Sequence, residues 1–258
     1  MNYKVKELIE KFTAVLSRWD GIECITLNEA AIPTTLDPYF ALILDVFRSG
    51  DIPSPKERLK QYGDIASAFE TTGSKDRFLV GDIPVRFEFK STKEEDELVT
   101  IASEKHESLW LIKNAGTYGF YRLANGEILF SRGDWINKVR SKLSSLSNVF
   151  WKTMRLANQS KMEHFLSDLG AALIRDDDFF YLISESGFIK YACMTLFSIN
   201  KKFEPSHRAY YKKVTGLPVV GETFCANLEA YLKNSEDMTP ERRFSIAQVI
   251  AKEIITLH

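Results

Sequence analysis

Two carboxylates fall where a carboxylate is costly to place. Asp45 interrupts Tyr39-Phe-Ala-Leu-Ile-Leu-Asp-Val-Phe47, a run that is otherwise apolar. An ionised side chain persists in such surroundings only when a cation or a metal ion neutralises it. Glu88 falls in Ile83 to Lys90, where Val85, Phe87 and Phe89 alternate with Arg86, Glu88 and Lys90. That alternation predicts a strand with its charged set on one face. At period two, Asp37, Tyr39, Ala41, Ile43 and Asp45 also share a face. If the two strands are neighbours, carboxylates converge, and converged carboxylates bind Mg²⁺, which can clamp triphosphate oxygens for an in-line phosphoryl displacement. Asp37 and Asp45 would lie about 26 Å apart on a straight strand, so they cannot share one ion. The competing reading sets Asp45 at a strand end and Glu88 on a solvated face, paired with Arg86 or Lys90.

The densest basic stretch runs from Asn200 to Lys213 and supplies Lys201, Lys202, Arg208, Lys212 and Lys213, interleaved with Phe203, Tyr210 and Tyr211. It reads as a wall facing a polyanion, or as charge complementing a helix C-terminus. Asp176-Asp-Asp178 points in three directions and reads as a helix N-cap at Asp178. The four histidines lack ligand spacing. Cys24, Cys193 and Cys225 are far apart in apolar stretches and read as small buried hydrophobes in a reducing compartment. P-loop, dinucleotide-fold and serine-hydrolase motifs are absent from the sequence.

With 34 Lys+Arg against 35 Asp+Glu, the 258 residues carry a formal charge of -1. That balance argues against coating nucleic acid by bulk charge, because counterion release needs many uncompensated cations. The N-terminus is charged, and no apolar run approaches the ~18 residues of a membrane span, so a cytoplasmic protein without membrane contact is expected.

The secondary structure around these residues follows from periodicity. Val5, Leu8, Ile9, Phe12, Val15, Leu16 and Trp19 recur at helical spacing. Ile22 to Leu27 and Tyr39 to Phe47 read as strands. Ser54-Pro55-Lys56-Glu57 is a capping box opening a helix. A short strand is expected near Phe78 to Val80, and Glu94 to Glu97 suit a helix start. Asn125-Gly126 between two apolar runs predicts a hairpin over Tyr118 to Phe130. From Asp134 onward nearly everything reads as helix, in segments near 134–144, 148–157, 160–175, 178–184, 187–202, 206–213, 222–233 and 240–256. Phe188, Tyr191, Ala192, Thr195, Leu196 and Ile199 should include the buried face of one of them. The fold class is α+β: a mixed α/β domain over 1–133, then a helical bundle over 134–258.

Tyr121-Arg-Leu-Ala-Asn-Gly-Glu-Ile-Leu-Phe-Ser-Arg-Gly133 resembles the Y-x-L-x-x-G-x-I-L-[YF]-D-x-x-G segment of bacterial nucleotidyltransferase-like proteins. Ala172 to Asp178 and Phe188 to Pro205 are similar to their C-terminal bundle, with Arg208 and Tyr210 as counterparts of a basic residue and an aromatic that follow it. The resemblance implies a mixed sheet beside a helical bundle, of the aminoglycoside-nucleotidyltransferase type. It implies transfer of a nucleoside monophosphate from a nucleoside triphosphate to a small hydroxyl acceptor, with Mg²⁺ as cofactor on two or three carboxylates. Asp45 and Glu88 would then be the metal ligands and, with Asp37, the catalytic set. Lys201, Lys202 and Arg208 would be the triphosphate contacts, across a cleft from the carboxylates. The chain also departs from the family pattern. The Gly-Ser pair after the first strand is replaced by Thr26-Leu-Asn28-Glu29, leaving Asn28 as the triphosphate contact, and Ala41 and Ile43 stand where the paired carboxylates would be. Glu88 matches cleanly. Two functions follow: an active nucleotidyltransferase, or a degenerate, non-catalytic member that binds a small ligand or a protein partner.

Overall fold

The structure is a computed structural model and describes residues 3–28, 41–233, 235 and 237–257. Asp37 and the start of the predicted second strand lie outside the described residues. The chain gathers into two compact units. One is Met1–Lys105 with Gly119–Ser145, and the other is His106–Tyr118 with Leu146–His258.

The first unit is a six-stranded mixed sheet with helices. Its elements are helix α1 (Tyr3–Leu16), strands β1 (Ile22–Leu27) and β2 (Leu42–Arg48), helix α2 (Pro55–Tyr62), strands β3 (Ala66–Thr71), β4 (Lys75–Val80) and β5 (Ile83–Ser91), and helix α3 (Thr92–Ser103). A short helix α4 (Trp110–Ala115) belongs to the other unit; α5 (Tyr118–Asn125), β6 (Glu127–Ser131) and α6 (Trp135–Ser144) then return to the sheet. The strand order is β3-β4-β5-β2-β1-β6, with β2 and β5 parallel and every other pair antiparallel.

One sheet face builds the core. Val5, Ile9, Phe12 and Leu16 of α1 pack on Ile25, Leu27, Leu44, Val46, Val85, Phe87 and Phe89. Phe12 meets Phe78 and Phe87 edge to face, with ring centroids 5.4 and 5.3 Å apart. The capping box forms as predicted: Ser54 and Glu57 satisfy each other's backbone N–H groups at the start of α2. That helix turns Arg58 inward. Arg58 donates to both Asp76 oxygens at 2.8 and 2.9 Å, to the Pro53 carbonyl and to Thr71 Oγ1, while the Tyr62 hydroxyl donates to Asp76 Oδ2. The buried charge is therefore fully paired, which is what makes it tolerable.

The predicted hairpin is a helix followed by a strand. Phe120, Tyr121 and Leu123 are buried along one side of α5, a helical spacing that the Asn-Gly signal obscured. The segment predicted to open the helical half, α6, packs instead against α3 and β1, through Ile136, Val139 and Leu143.

The second unit is helical: α7 (Asn148–Arg175), α8 (Asp178–Ile199), α9 (Tyr210–Val214), α10 (Glu222–Leu232) and α11 (Pro240–Thr256). Two breaks predicted from the sequence do not occur. Neither Gly nor Pro falls near residue 158, so α7 runs 28 residues unbroken. Gly187 continues α8 because the Phe165 ring of α7 lies where its Cβ would be. Asp177, not Asp178, caps α8, accepting from the Phe180 N–H at 2.9 Å. Phe188, Ala192, Thr195 and Leu196 are fully buried, with Tyr191 and Ile199 packed at the margin, as the spacing predicts. Thr117 joins this unit by exchanging hydrogen bonds with buried Glu204. Among the described residues no helix is long and apolar enough to cross a membrane.

Candidate functional site

The second face of the sheet is polar at its centre. The parallel register sets Asp45 of β2 opposite Glu88 of β5, and the antiparallel register sets Thr26 of β1 opposite Asp45. Lys75 flanks Glu88 on β4. One row thus runs Thr26, Asp45, Glu88, Lys75 across four strands. The convergence expected of Asp45 and Glu88 is met, and both are buried, at 0% and 7% exposure.

A single guanidinium joins them. Arg122, in the last turn of α5, donates from Nε to Asp45 Oδ2 at 2.8 Å and from Nη2 to Asp45 Oδ1. Its Nη1 lies 2.8 Å from Glu88 Oε2. Lys90 adds a second cation, with Nζ 3.2 Å from Asp45 Oδ1 and above the Phe47 ring. Lys75 and Arg86 each stand 3.9 Å from Glu88 Oε1. Burial pushes the Glu88 carboxyl up, but the charge and hydrogen bond of Arg122, helped by Lys75 and Lys90, bring it below its ordinary value. Glu95, in the first turn of α3, is the outer acid of the cluster. Burial raises its carboxyl and neighbouring Asp45 adds to the rise, against Lys90 and Arg122.

The local sequence explains why Arg122 sits there. Phe120, Tyr121 and Leu123 fix the rotation of α5, and Gly126 ends it, its N–H donating to the Arg122 carbonyl at 2.9 Å. A Cβ on Gly126 would come 3.0 Å from Thr26 Oγ1 and 2.9 Å from the Arg122 carbonyl, so only glycine lets the helix end settle on β1. Arg140 of α6 seals the same end by donating to the carbonyls of Leu123 and Gly126.

This donor set does not suit a divalent ion. Both Asp45 oxygens accept from Arg122, Oδ1 also faces Lys90, and Glu88 Oε2 is taken by Arg122. Mg²⁺ needs those same lone pairs in near-octahedral array. Among the described residues, no group of three His, Cys, Asp or Glu side chains is arranged to hold a metal ion.

The other expected site residues are placed as follows. Asn28 is buried at the end of β1, its N–H donating to the Ile43 carbonyl at 3.0 Å. Lys201, Lys202 and Arg208 are exposed and belong to the helical unit. Lys201 follows α8 and donates to Asn148 Oδ1, and Arg208 lies in the short turn before α9. Sequence reasoning missed Arg122 and Glu95. No local pattern pointed to Arg122, because its contact with Asp45 spans 77 residues and the segment carrying it read as a hairpin.

No protein-family model and no curated protein matches the chain. Among solved structures it is similar to a nucleotidyltransferase-like protein from Exiguobacterium sibiricum 255-15, with 11% sequence identity, 95% of this chain and 71% of that chain covered, and a TM-score of 0.48.

Proposed function

We propose that this chain is a non-catalytic protein of nucleotidyltransferase-like design, acting by binding a small ligand or a protein partner rather than by transferring nucleotides. The observation that carries the reading is the single guanidinium spanning Asp45 and Glu88. In the enzymes that the sequence resembles, paired carboxylates serve a metal ion; here Arg122 and Lys90 neutralise them from within the fold. A planar guanidinium on a carboxylate is a strong, bidentate, geometrically defined contact, and Arg stays charged at any working pH. Two further features support the same reading. The first strand ends in buried Asn28 rather than in a Gly-Ser pair, and Ala41 and Ile43 stand where two carboxylates would serve catalysis.

A specific observation favours the active alternative: Asp45 and Glu88 do meet on one face in register. Catalysis there would require Arg122 to leave both carboxylates before an ion could enter. Pyrophosphate release separates the two readings. Wild type and the D45N/E88Q variant are incubated with each of the four nucleoside triphosphates, Mg²⁺ and a set of amino sugar acceptors. Equal background release from both proteins is expected. Acceptor-dependent release by wild type that disappears in the variant would overturn the non-catalytic reading.

A further inference from the structure

The helical unit carries a groove of about 420 Å³ bounded by α7, the C-terminal end of α8 and the end of α11. Its walls divide by chemistry. Lys152 and Arg155 of α7 and Lys201 after α8 supply three positive charges, and Leu156, Ile199 and Ile255 form an apolar shoulder. Leu156 and Ile255 are 55% and 41% exposed, high for aliphatic side chains beside a concavity. The α7 contributors Asn148, Lys152, Arg155 and Gln159 follow i, i+4, i+7, i+11, so they form one stripe.

None of the three cations pairs with a carboxylate of the described residues. Arg155 donates to the Leu257 carbonyl at 2.6 Å and Lys201 to Asn148 Oδ1 at 2.8 Å, both neutral acceptors. Among the described residues the positive charge of the groove thus has no carboxylate partner, unlike that of the sheet cluster. Lys201 supplies a second observation. It adopts φ 51°, immediately after the C-cap of α8. That left-handed position ordinarily takes glycine, and a long side chain there carries a backbone cost. The fold accepts this cost and directs the ammonium to Asn148 at the groove wall.

We propose that this groove binds an organic phosphate, with Lys152, Arg155 and Lys201 taking the phosphate and Leu156, Ile199 and Ile255 covering the organic part. The site lies wholly within the helical unit and is independent of the carboxylate cluster, so either proposal can fail alone. Nucleotides and lipid-like phosphates share this chemistry, and the probes distinguish them: inorganic phosphate, AMP and octyl phosphate, each titrated calorimetrically with EDTA present. Two variants accompany wild type. Lys201→Gly relieves the left-handed strain, so it should keep or raise the melting temperature while weakening the organic phosphate about tenfold or more, as loss of a charge-assisted hydrogen bond implies. Lys152→Gln, at an exposed position, should weaken it similarly without a melting shift. Binding of AMP or octyl phosphate more tightly than inorganic phosphate, weakened about tenfold or more in both variants, is the expected result; which probe binds identifies the source. Absence of binding by all three probes, or affinity unchanged in both variants, would overturn the proposal.

Discussion

At the scale of residues, one side chain decides what the two carboxylates do. Arg122 satisfies both oxygens of Asp45 and one of Glu88, and without it two buried negative charges would face each other across neighbouring strands. Removing one partner of a buried ion pair leaves an uncompensated charge, so Arg122→Ala should lower unfolding stability by about 3–5 kcal/mol in denaturant titrations. Arg122→Lys should recover only part of that, because an ammonium cannot form the fork that spans both acids. A second outcome concerns acid. The folded-state Glu88 carboxyl titrates below its ordinary value of ~4.3, so on acidification the unfolded chain takes up its proton first. Its stabilisation is complete above that ordinary value and is lost as pH falls through the lower, folded value. Glu88→Gln should therefore flatten the acid limb of the stability curve; an unchanged limb would show that Glu88 is not held by charge. Asp45 was legible in the sequence because it breaks an apolar run, and Glu88 because the alternation of its strand sets it on the charged face. Their partner was not, since Arg122 is 77 residues from Asp45 and contact at that separation leaves no local periodicity.

At the scale of elements, patterns with a local cause could be read and patterns with a tertiary cause could not. The capping box of α2 and the alternation of β5 are local and stand where the sequence places them. Strand β3 escaped notice because all of its residues are half-exposed or exposed, with no apolar alternation to betray it. The Asn125-Gly126 pair misled for an informative reason. Its glycine is needed for close approach to Thr26, not for a two-residue turn. The long helices were over-divided because the polar Asn158 and the small Gly187 look like stops. In the bundle the first is buried and donates to Ser198 Oγ at 3.2 Å, and the second receives a Phe165 ring. The reading of α8 can be checked at Leu196, which is fully buried among Phe188, Ala192 and Phe197. Leu196→Ala should cost ~2–5 kcal/mol; a loss below about half a kcal/mol would mean that its surroundings close over the gap without penalty.

At the scale of the whole molecule, a formal charge of -1 conceals two opposite arrangements. In the sheet unit, acids and bases are interleaved and neutralise one another at the centre of a face. In the helical unit, Lys152, Arg155 and Lys201 stand together in a groove whose described lining holds no acid. Composition sets an expectation against coating nucleic acid by bulk charge, but it could not show this segregation, which depends on which cations the fold brings to which carboxylates. The α+β class was legible because the apolar periodicity changes along the chain; the place of α6 was not, because its buried face gives no clue to the surface it meets. An internal cation, Arg122, occupies the carboxylate pair. An electron paramagnetic resonance titration of wild type with Mn²⁺, with and without ATP, beside the E88Q variant, tests that occupancy. Superimposable curves for the two proteins, with no Mn²⁺ held by Glu88, are the expected result; one tight Mn²⁺ per chain in wild type that is absent from the variant would contradict it.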